Sequence, residues 1–203
     1  MTQPSESPGT AASSGVEIHQ VHGRKDLKAF IEVPVPIYLE DPCWVRPLIF
    51  ERLEHLDPAK NPYFQHADAA YWIARRGGRD LGRISAQVNR AHLERHEDAT
   101  GHFGFLEAVD DREVFQALLG TAERWLSERG MKRIAGPFSL SINEESGLLV
   151  EGFDSPPYLM MGHARPYYAT HLEGLGYQKL KDLYAYLYDV TNAPPAAAVA
   201  FLL

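Results

Sequence analysis

A junction in the middle of the chain joins a strand-like run to a helix-like run through three charged residues. Residues 105–109 have the character of a β-strand, and residues 112–129 repeat apolar side chains at helical spacing. The N-terminus of a helix that follows a strand commonly holds a phosphate on its free backbone N–H groups. Here the connecting residues are Asp110, Asp111 and Arg112, without the glycines that usually let the backbone approach such a ligand.

The two aspartates at this junction suit a different role. A carboxylate at the start of a helix accepts hydrogen bonds from the free N–H groups and complements the positive end of the helix dipole. It therefore competes with a phosphate, since two like charges about 4 Å apart repel by several kcal/mol in a cleft and by about 1 kcal/mol in water. We interpret Asp110 and Asp111 as helix-capping residues. The alternatives are an anion bound with the help of Arg112, or an anion bound elsewhere.

A second set of candidates lies in segment 139–166, which is rich in Gly, Ser and Pro and has no sustained periodicity. Irregular segments of this length in a compact domain are commonly functional. Asn143 and Glu144 closely follow a predicted strand, and polar residues at that position often line a cleft. His163 and Arg165 follow an apolar Tyr-Leu-Met-Met run that suits an apolar ligand channel. We predict that these four residues bind substrate, with turn capping and core packing as the alternatives.

Motifs for other kinds of chemistry are missing from the sequence. His92 and His96 stand at i, i+4 without a third ligand nearby, so no metal site is predicted. The sequence contains neither a nucleotide-binding P-loop nor a G-x-S-x-G nucleophile motif. Cys43 is the only cysteine, which excludes a disulfide within the chain and fits a reducing, cytoplasmic compartment.

The composition is that of an ordinary globular domain. The chain has 203 residues, of which 45% are hydrophobic and 23% charged, enough for one domain with a substantial core. A net charge of -7 and the lack of a Lys/Arg run argue against a nucleic-acid partner. No apolar run approaches the roughly 20 residues of a membrane span. We expect residues 1–15 to be a disordered segment and residues 191–203 to be a linker or the start of a further segment.

The order of predicted elements defines the fold class. The chain gives a strand at 16–23, helices within 24–33 and 44–57, a hairpin at 69–90 that turns at Gly77-Gly78, a strand ending at 109, a helix at 112–129, a strand at 131–138, the irregular segment, a helix at 167–176 and a last strand at 177–190. This order predicts an α+β domain at 16–190 with three layers. Its central sheet is mixed, mostly antiparallel and flanked by helices.

These elements resemble the GNAT acyltransferase superfamily over roughly residues 16–190. "FGFLEAV" and "ALLGTAERWLSERGMKRI" are similar to the strand–helix–strand unit on which GNAT enzymes seat the pyrophosphate of acyl-CoA, and "ATHLEGLGYQK" resembles their later helix and turn. "KDLKAFIEVP" and "SINEESGLLVEGFDSPP" are more closely similar to a mostly uncharacterised bacterial group of longer GNAT-like proteins. Some of these carry a dATP pyrophosphohydrolase label, and relatives have been linked to N-acylation in sphingolipid synthesis.

The resemblance implies transfer of an acyl group from acyl-CoA to a small-molecule amine or lipid-like substrate, without a metal. Glu107 is then the general base, and Tyr167 or Tyr168 is the acid, because Glu173 stands where the family places its usual Tyr. Backbone groups of the strand would hold the thioester, and the resemblance implies a cofactor site at Leu106, Ala108, Val109 and Arg112. Both glycines of the family's phosphate loop, R/Q-x-x-G-x-G/A, are missing here. For Glu107 the alternative is a surface or capping carboxylate, and for the two tyrosines it is packing.

Two other functions stay open at this point. The chain is alternatively a non-catalytic GNAT-fold module that binds a ligand, a second GNAT-like half or a second copy of itself. Nucleotide pyrophosphate hydrolysis is disfavoured, since it needs carboxylates gathered on a helix to hold Mg²⁺. Glu113 and Glu123 are ten residues apart and do not share a helix face well.

Overall fold

The computed structural model describes residues 15–186 together with Asp189 and Thr191. The segment predicted to be disordered, apart from its residue 15, lies outside the described residues. The same holds for the predicted C-terminal linker apart from Thr191.

The centre of the molecule is a five-stranded mixed sheet in the order β1-β2-β3-β4-β5. The strands are β1 (Glu17–Gln20), β2 (Ala67–Arg76), β3 (Arg79–Asn89), β4 (Thr100–Ala108) and β5 (Arg133–Ala135). The first four pair antiparallel, and β5 pairs parallel to β4. Gly77 and Gly78 make the β2–β3 turn with φ of 58° and 76°, a conformation that favours glycine. The predicted mixed, mostly antiparallel sheet is confirmed.

Helices cover both faces of this sheet. They are α1 (Gly23–Glu32), α2 (Pro34–Ile37), α3 (Ile49–His55), a 3₁₀ turn (Pro62–Gln65), α4 (Arg90–His96), α5 (Arg112–Ser127) and α6 (Tyr167–Gly174). Side chains of α5 and α6 pack with Trp72 and Phe103 on one face, while those of α1 and α3 pack with Ile73 and Phe105 on the other. This arrangement confirms the three layers.

Three local predictions differ from the structure. No helix was predicted directly after residue 33, but Pro34 begins α2, because its fixed φ suits the first helical position. The short helix α4 was not predicted; Asn89 caps it by accepting a hydrogen bond from the His92 N–H. The last strand is wrong over residues 177–186, which carry no regular structure. Its alternation specifies two faces but not a partner strand, and Leu180 and Tyr184 remain exposed.

Strand β4 changes course halfway along its length. Residues 100–102 pair with residues 133–135 of β5, and the pairing with β3 then shifts register between Arg83 and Ser85. Phe105 lies at this irregularity with φ of 47°, a backbone conformation rare for a bulky residue. Bulges of this kind re-aim side chains and occur often beside functional sites. The C-terminal half of β4 thus extends past the end of β5.

The closest backbone approach at this divergence involves Gly104. A Cβ at this position would lie 1.7 Å from the carbonyl oxygen of Phe138. We expect Gly104→Ala to lower the free energy of unfolding by about 3 kcal/mol, because the clash is with backbone rather than with a flexible side chain. Urea unfolding monitored by circular dichroism measures the change.

Gly120→Ala in α5 is the matched control. Its new Cβ would meet only the end of Arg124, at 3.6 Å, so we expect a gain of about 0.5–1 kcal/mol from helix propensity. A Gly104→Ala protein as stable as the wild type would contradict the described contact between β4 and the segment after β5.

Candidate functional site

A cleft of about 100 Å³ opens where β4 leaves β5. Its floor includes Arg83 of β3 and residues 105–107 of β4. One wall comes from the chain between α2 and α3, including Trp44, and the other from the irregular segment after β5, including His163. The bulge in β4 and the long segment after β5 therefore combine to form one site.

Glu107 is the buried acid of this cleft. Its side chain is 13% exposed, and its Oε2 accepts hydrogen bonds from the hydroxyls of Tyr38 (2.6 Å) and Tyr168 (2.7 Å). Its Oε1 lies 3.8 Å from Nη2 of Arg83. Burial raises the pKa of Glu107, and Arg83 and the two hydroxyls oppose that rise without cancelling it. The structure thus holds a carboxyl group of raised proton affinity at the predicted position.

Tyr167 and Tyr168 attach α6 to the end of β4. The Ala108 N–H donates a hydrogen bond to the Tyr168 hydroxyl (3.0 Å), and the Tyr167 hydroxyl donates one to the Ala108 carbonyl (2.8 Å). Burial, followed by the charge of Glu107, raises the pKa of Tyr168, so its hydroxyl is protonated at neutral pH. Burial also raises the pKa of Tyr167 to about 12. The N–H of Ala108, predicted to hold a thioester, is occupied by Tyr168 in this state.

Two residues that contact Glu107 were not predicted from the sequence. Tyr38 follows α2 and stacks on Trp44 with ring centroids 5.2 Å apart. Arg83 is buried, donates a hydrogen bond from Nη1 to the Phe30 carbonyl (3.1 Å), and has no partner for Nε within the described residues. A lone arginine in the otherwise uncharged β3 run "LGRISAQV" is the signal that would have identified Arg83.

The predicted substrate-binding residues separate into two groups. His163 and Arg165 come together on Asp41, with His163 Nε2 at 3.0 Å and Arg165 Nη1 at 3.2 Å from the same oxygen of that carboxylate. Glu144 instead contacts His55 Nε2 (2.8 Å) and accepts a hydrogen bond from the backbone N–H of residue 141. Asn143 is exposed. Only His163 of these four predicted residues lines the cleft, and Glu145, the neighbour of Glu144 in the sequence, also lines it.

The N-terminus of α5 is filled by the chain's own charges. Asp111 caps it by accepting a hydrogen bond from the Glu113 N–H (2.9 Å), as predicted, and Arg76 pairs with the side chains of Asp111 (2.7 Å) and Glu113 (2.5 Å). Arg112 donates a hydrogen bond from its side chain to the Gly174 carbonyl in α6. These pairs occupy the position at which a phosphate would otherwise meet the free N–H groups.

The remaining backbone prediction at this junction concerns Val109. Its N–H donates a hydrogen bond to the Leu81 carbonyl (2.9 Å), so it belongs to the sheet. Leu106 lines the cleft. The cofactor-binding role of these residues stays a prediction.

A larger cavity of about 550 Å³ lies elsewhere, between α1, α3 and the start of β2. Leu27, Leu53 and Phe64 give it a mainly apolar lining, and it contains none of the predicted site residues. The described residues include no group of three or more His, Cys, Asp or Glu side chains placed to hold a metal ion. No helix in the described part of the chain is long and apolar enough to cross a membrane.

Solved structures share the architecture now described. An aminoglycoside acetyltransferase from an uncultured soil metagenomic sample superposes with a TM-score of 0.53 at 10% identity, covering 86% of this chain and 96% of that one. AAC(6')-Iy, in complex with the bisubstrate analogue CoA-S-monomethyl-acetylneamine, gives 0.51 at 13% identity over 87% and 99%. A tandem GNAT protein from the clavulanic acid pathway gives 0.51 at 15% identity over 79% and 43%. The chain has the GNAT acyltransferase fold.

Two curated proteins are similar to this chain at much higher sequence identity than these solved structures are. Protein YghO of Escherichia coli (strain K12) is 52% identical over 169 residues, which cover 83% of this chain and 43% of YghO. The bacterial ceramide synthase of Caulobacter vibrioides is 44% identical over 192 residues, which cover 94% of this chain and 50% of that protein. The chain thus spans about half the length of the curated relatives it matches. No model of a known protein family matches it.

The ion pair at the start of α5 gives a pH-dependent prediction. Hydrogen bonding by Arg76 lowers the pKa of Asp111 below its usual value, despite the opposing effect of burial. A lowered carboxyl pKa stabilises the fold above the unfolded value of about 3.9, and this stabilisation is lost as the pH falls through the folded value. We expect Asp111→Asn, which keeps the helix cap, to destabilise the protein by about 1 kcal/mol or less at pH 7, and by less still at pH 3.

Urea unfolding at the two pH values measures this difference. Glu151→Gln, at an exposed position of the irregular segment, is the control and should change stability little at either pH. If the Asp111→Asn deficit were the same at pH 3 as at pH 7, the pairing with Arg76 would not be its cause.

Proposed function

We propose that this domain catalyses N-acyl transfer from an acyl thioester, CoA in the simplest case, to the amine of a long-chain amino alcohol. The observation that carries the proposal is the buried Glu107 carboxyl group, which is hydrogen-bonded by two phenols where β4 separates from β5. The GNAT fold supports acyl transfer, and the ceramide synthase name of a 44% identical relative supports the amino alcohol. A ceramide is the amide of a fatty acid with such an amine.

The proposed roles follow from the number of protons that the reaction must move. An ammonium group must lose one proton to become a nucleophile and a second after it has attacked the thioester carbonyl, while the departing thiolate gains one. Glu107 accepts a proton from the attacking nitrogen. Tyr168, which donates to Glu107 in the described state, supplies the proton of the thiol and is reprotonated through Glu107. The net products are an amide, a thiol and one proton released to solvent.

The thioester carbonyl needs hydrogen-bond donors in the transition state. Two are available at the cleft, namely the Ala108 N–H, once Tyr168 turns away, and the Nε–H of Arg83, which has no partner within the described residues. An unpaired donor beside the cleft is what a developing oxyanion requires. We therefore include Arg83 among the groups that stabilise negative charge on the substrate.

The size of the cleft implies movement on binding. About 100 Å³ is below the roughly 300–1,000 Å³ of ordinary ligand sites, so a pantetheine arm needs additional space. Segment 139–166 has exposed apolar side chains beside the cleft, including Tyr158, Leu159 and Met160. We propose that this segment moves outward and that its apolar side chains contact the acyl or amine chain.

The charges at the start of α5 favour a second candidate, a GNAT-fold module that binds a ligand or partner without catalysis. Asp111, Glu113 and Arg76 fill the position where the fold would seat a pyrophosphate. Under the enzyme proposal, the CoA phosphates lie away from these carboxylates. Thermal shift with acyl-CoA and with free CoA tests the enzyme candidate: the enzyme should melt at a higher temperature with acyl-CoA, and an unchanged melting temperature at millimolar ligand would count against it.

Turnover tests the catalytic roles directly. With acyl-CoA and a long-chain amino alcohol, we expect Glu107→Gln to lower the rate of thiol release by about 10²–10⁴-fold, because the nitrogen loses its proton acceptor. Tyr168→Phe should lower it by about tenfold or more through loss of the proton donor. Tyr186→Phe, which alters an exposed tyrosine outside the lining of the cleft, is the matched control and should keep the wild-type rate.

The result that would refute these assignments is a folded Glu107→Gln protein with wild-type thiol release. Wild-type protein that binds acyl-CoA but releases no thiol with any long-chain amine would instead favour the non-catalytic module.

A further inference from the structure

A histidine–aspartate pair stands in the cleft wall apart from Glu107. His163, whose side chain is 4% exposed, contacts Oδ2 of Asp41 through Nε2 at 3.0 Å. Asp41 is fixed from two further directions, by the Cys43 N–H on Oδ1 (3.0 Å) and by Arg165 on Oδ2 (3.2 Å). Two chain segments that are more than a hundred residues apart thus meet in one buried pair.

The second ring nitrogen of His163 has no visible function inside the fold. Nδ1 is buried and has no hydrogen-bond partner among the described residues. Asp41 stays ionised, because hydrogen bonds from His163, Cys43 and Arg165 outweigh the effect of burial and keep its pKa below the usual value. An ionised partner at Nε2 favours the tautomer that carries its proton there, which leaves Nδ1 as a lone-pair acceptor.

An unpaired buried acceptor is unfavourable for folding and calls for an explanation. Among the residues that line this cleft, the described structure leaves two buried polar side-chain atoms without partners, Nδ1 of His163 and Nε of Arg83. One is an acceptor and the other a donor. An amine and a thioester carbonyl are the matching pair of ligand groups, since an ammonium N–H would meet the acceptor and the carbonyl oxygen the donor.

We propose that His163, oriented by Asp41, is the base that removes the first proton from the substrate ammonium. This inference rests on the proposed function. The N–H bond of the ammonium breaks, its electron pair stays on nitrogen, and the proton moves to Nδ1 and from there to solvent. The neutral amine then attacks the thioester, and Glu107 receives the second proton as described above. One base acts before attack and the other during it.

The charges around His163 are compatible with this role. Asp41 faces it from the chain after α2, and Arg165 shares that carboxylate. The ring of Tyr38 lies 5.6 Å from the His163 ring, centroid to centroid. Across the cleft, the remaining charged side chains in its lining are Glu107, Arg83, Arg52 and Glu145. Arg52 pairs with Glu145 and Arg83 lies beside Glu107, so these four side chains form two pairs of opposite charge.

The pH dependence of turnover tests the proposal. In the intact protein, thiol release with acyl-CoA and a long-chain amino alcohol is measured from pH 6 to pH 10. We expect His163→Gln to lower kcat/KM by about 10²–10³-fold at pH 7 and to recover nearly tenfold per pH unit as the free amine, with a pKa of about 10, accumulates. Glu107→Gln should not recover in this way, because its defect lies after deprotonation.

Two further variants complete the test. Asp41→Asn, which leaves the imidazole in place but removes its anionic partner, should show a smaller deficit with the same recovery at high pH, and it provides a second probe if His163→Gln does not fold. His96→Gln, on the exposed face of α4, is the histidine control and should match the wild-type profile. Thermal melts establish that each variant is folded.

The possible outcomes are distinct. A folded His163→Gln protein with the wild-type profile, or with a loss that is equal at every pH, would overturn the inference while leaving the proposed function intact. A wild-type protein without turnover would overturn both.

Discussion

The account depends on the hydrogen bonds that surround the carboxyl group of Glu107. Tyr38, after α2, and Tyr168, on α6, meet on one oxygen of this group, which stands beyond the bulge of β4. A buried carboxylate is tolerated only when it is hydrogen-bonded and paired, and here Arg83 supplies the opposite charge. The same contacts link the residue after α2 and helix α6 to the end of β4.

The cleft around Glu107 contrasts with the start of α5, where many GNAT-like sequences would place a phosphate loop. Asp111 accepts a hydrogen bond from the Glu113 N–H, and its ion pair with Arg76 places the chain's own charges at this helix end. The chain therefore has the GNAT fold, while its own charged side chains occupy the start of α5. In our proposal, affinity for the donor comes from the cleft and its apolar rim. Because the matched curated relatives are about twice as long as this chain, the rest of such a protein has room to contribute to binding.

The sequence was sufficient for the layers and for half of the site. Periodicity located β4 and α5. Asp111 caps α5 as predicted, whereas Asp110 contacts His171 instead of capping the helix. The sequence predicted Glu107 and Tyr168 as catalytic residues and His163 as a substrate-binding residue. Tyr38, Arg83 and Asp41 were not predicted as site residues. They contact Glu107 or His163 from distant parts of the chain, and a local sequence pattern does not indicate such long-range contacts. The predicted strand at 177–190 is wrong over residues 177–186 for the same reason, since alternation does not supply a partner strand.

A crystal structure of the protein with a non-hydrolysable acyl-CoA analogue is the most direct test of the central claim. The account predicts that the carbonyl which replaces the thioester lies in the cleft beside Glu107, within hydrogen-bond distance of the Ala108 N–H or Arg83 Nε–H, with Tyr168 displaced. An analogue lodged in the 550 Å³ cavity beside α1 and α3, with the contacts of Glu107 unchanged, would contradict it.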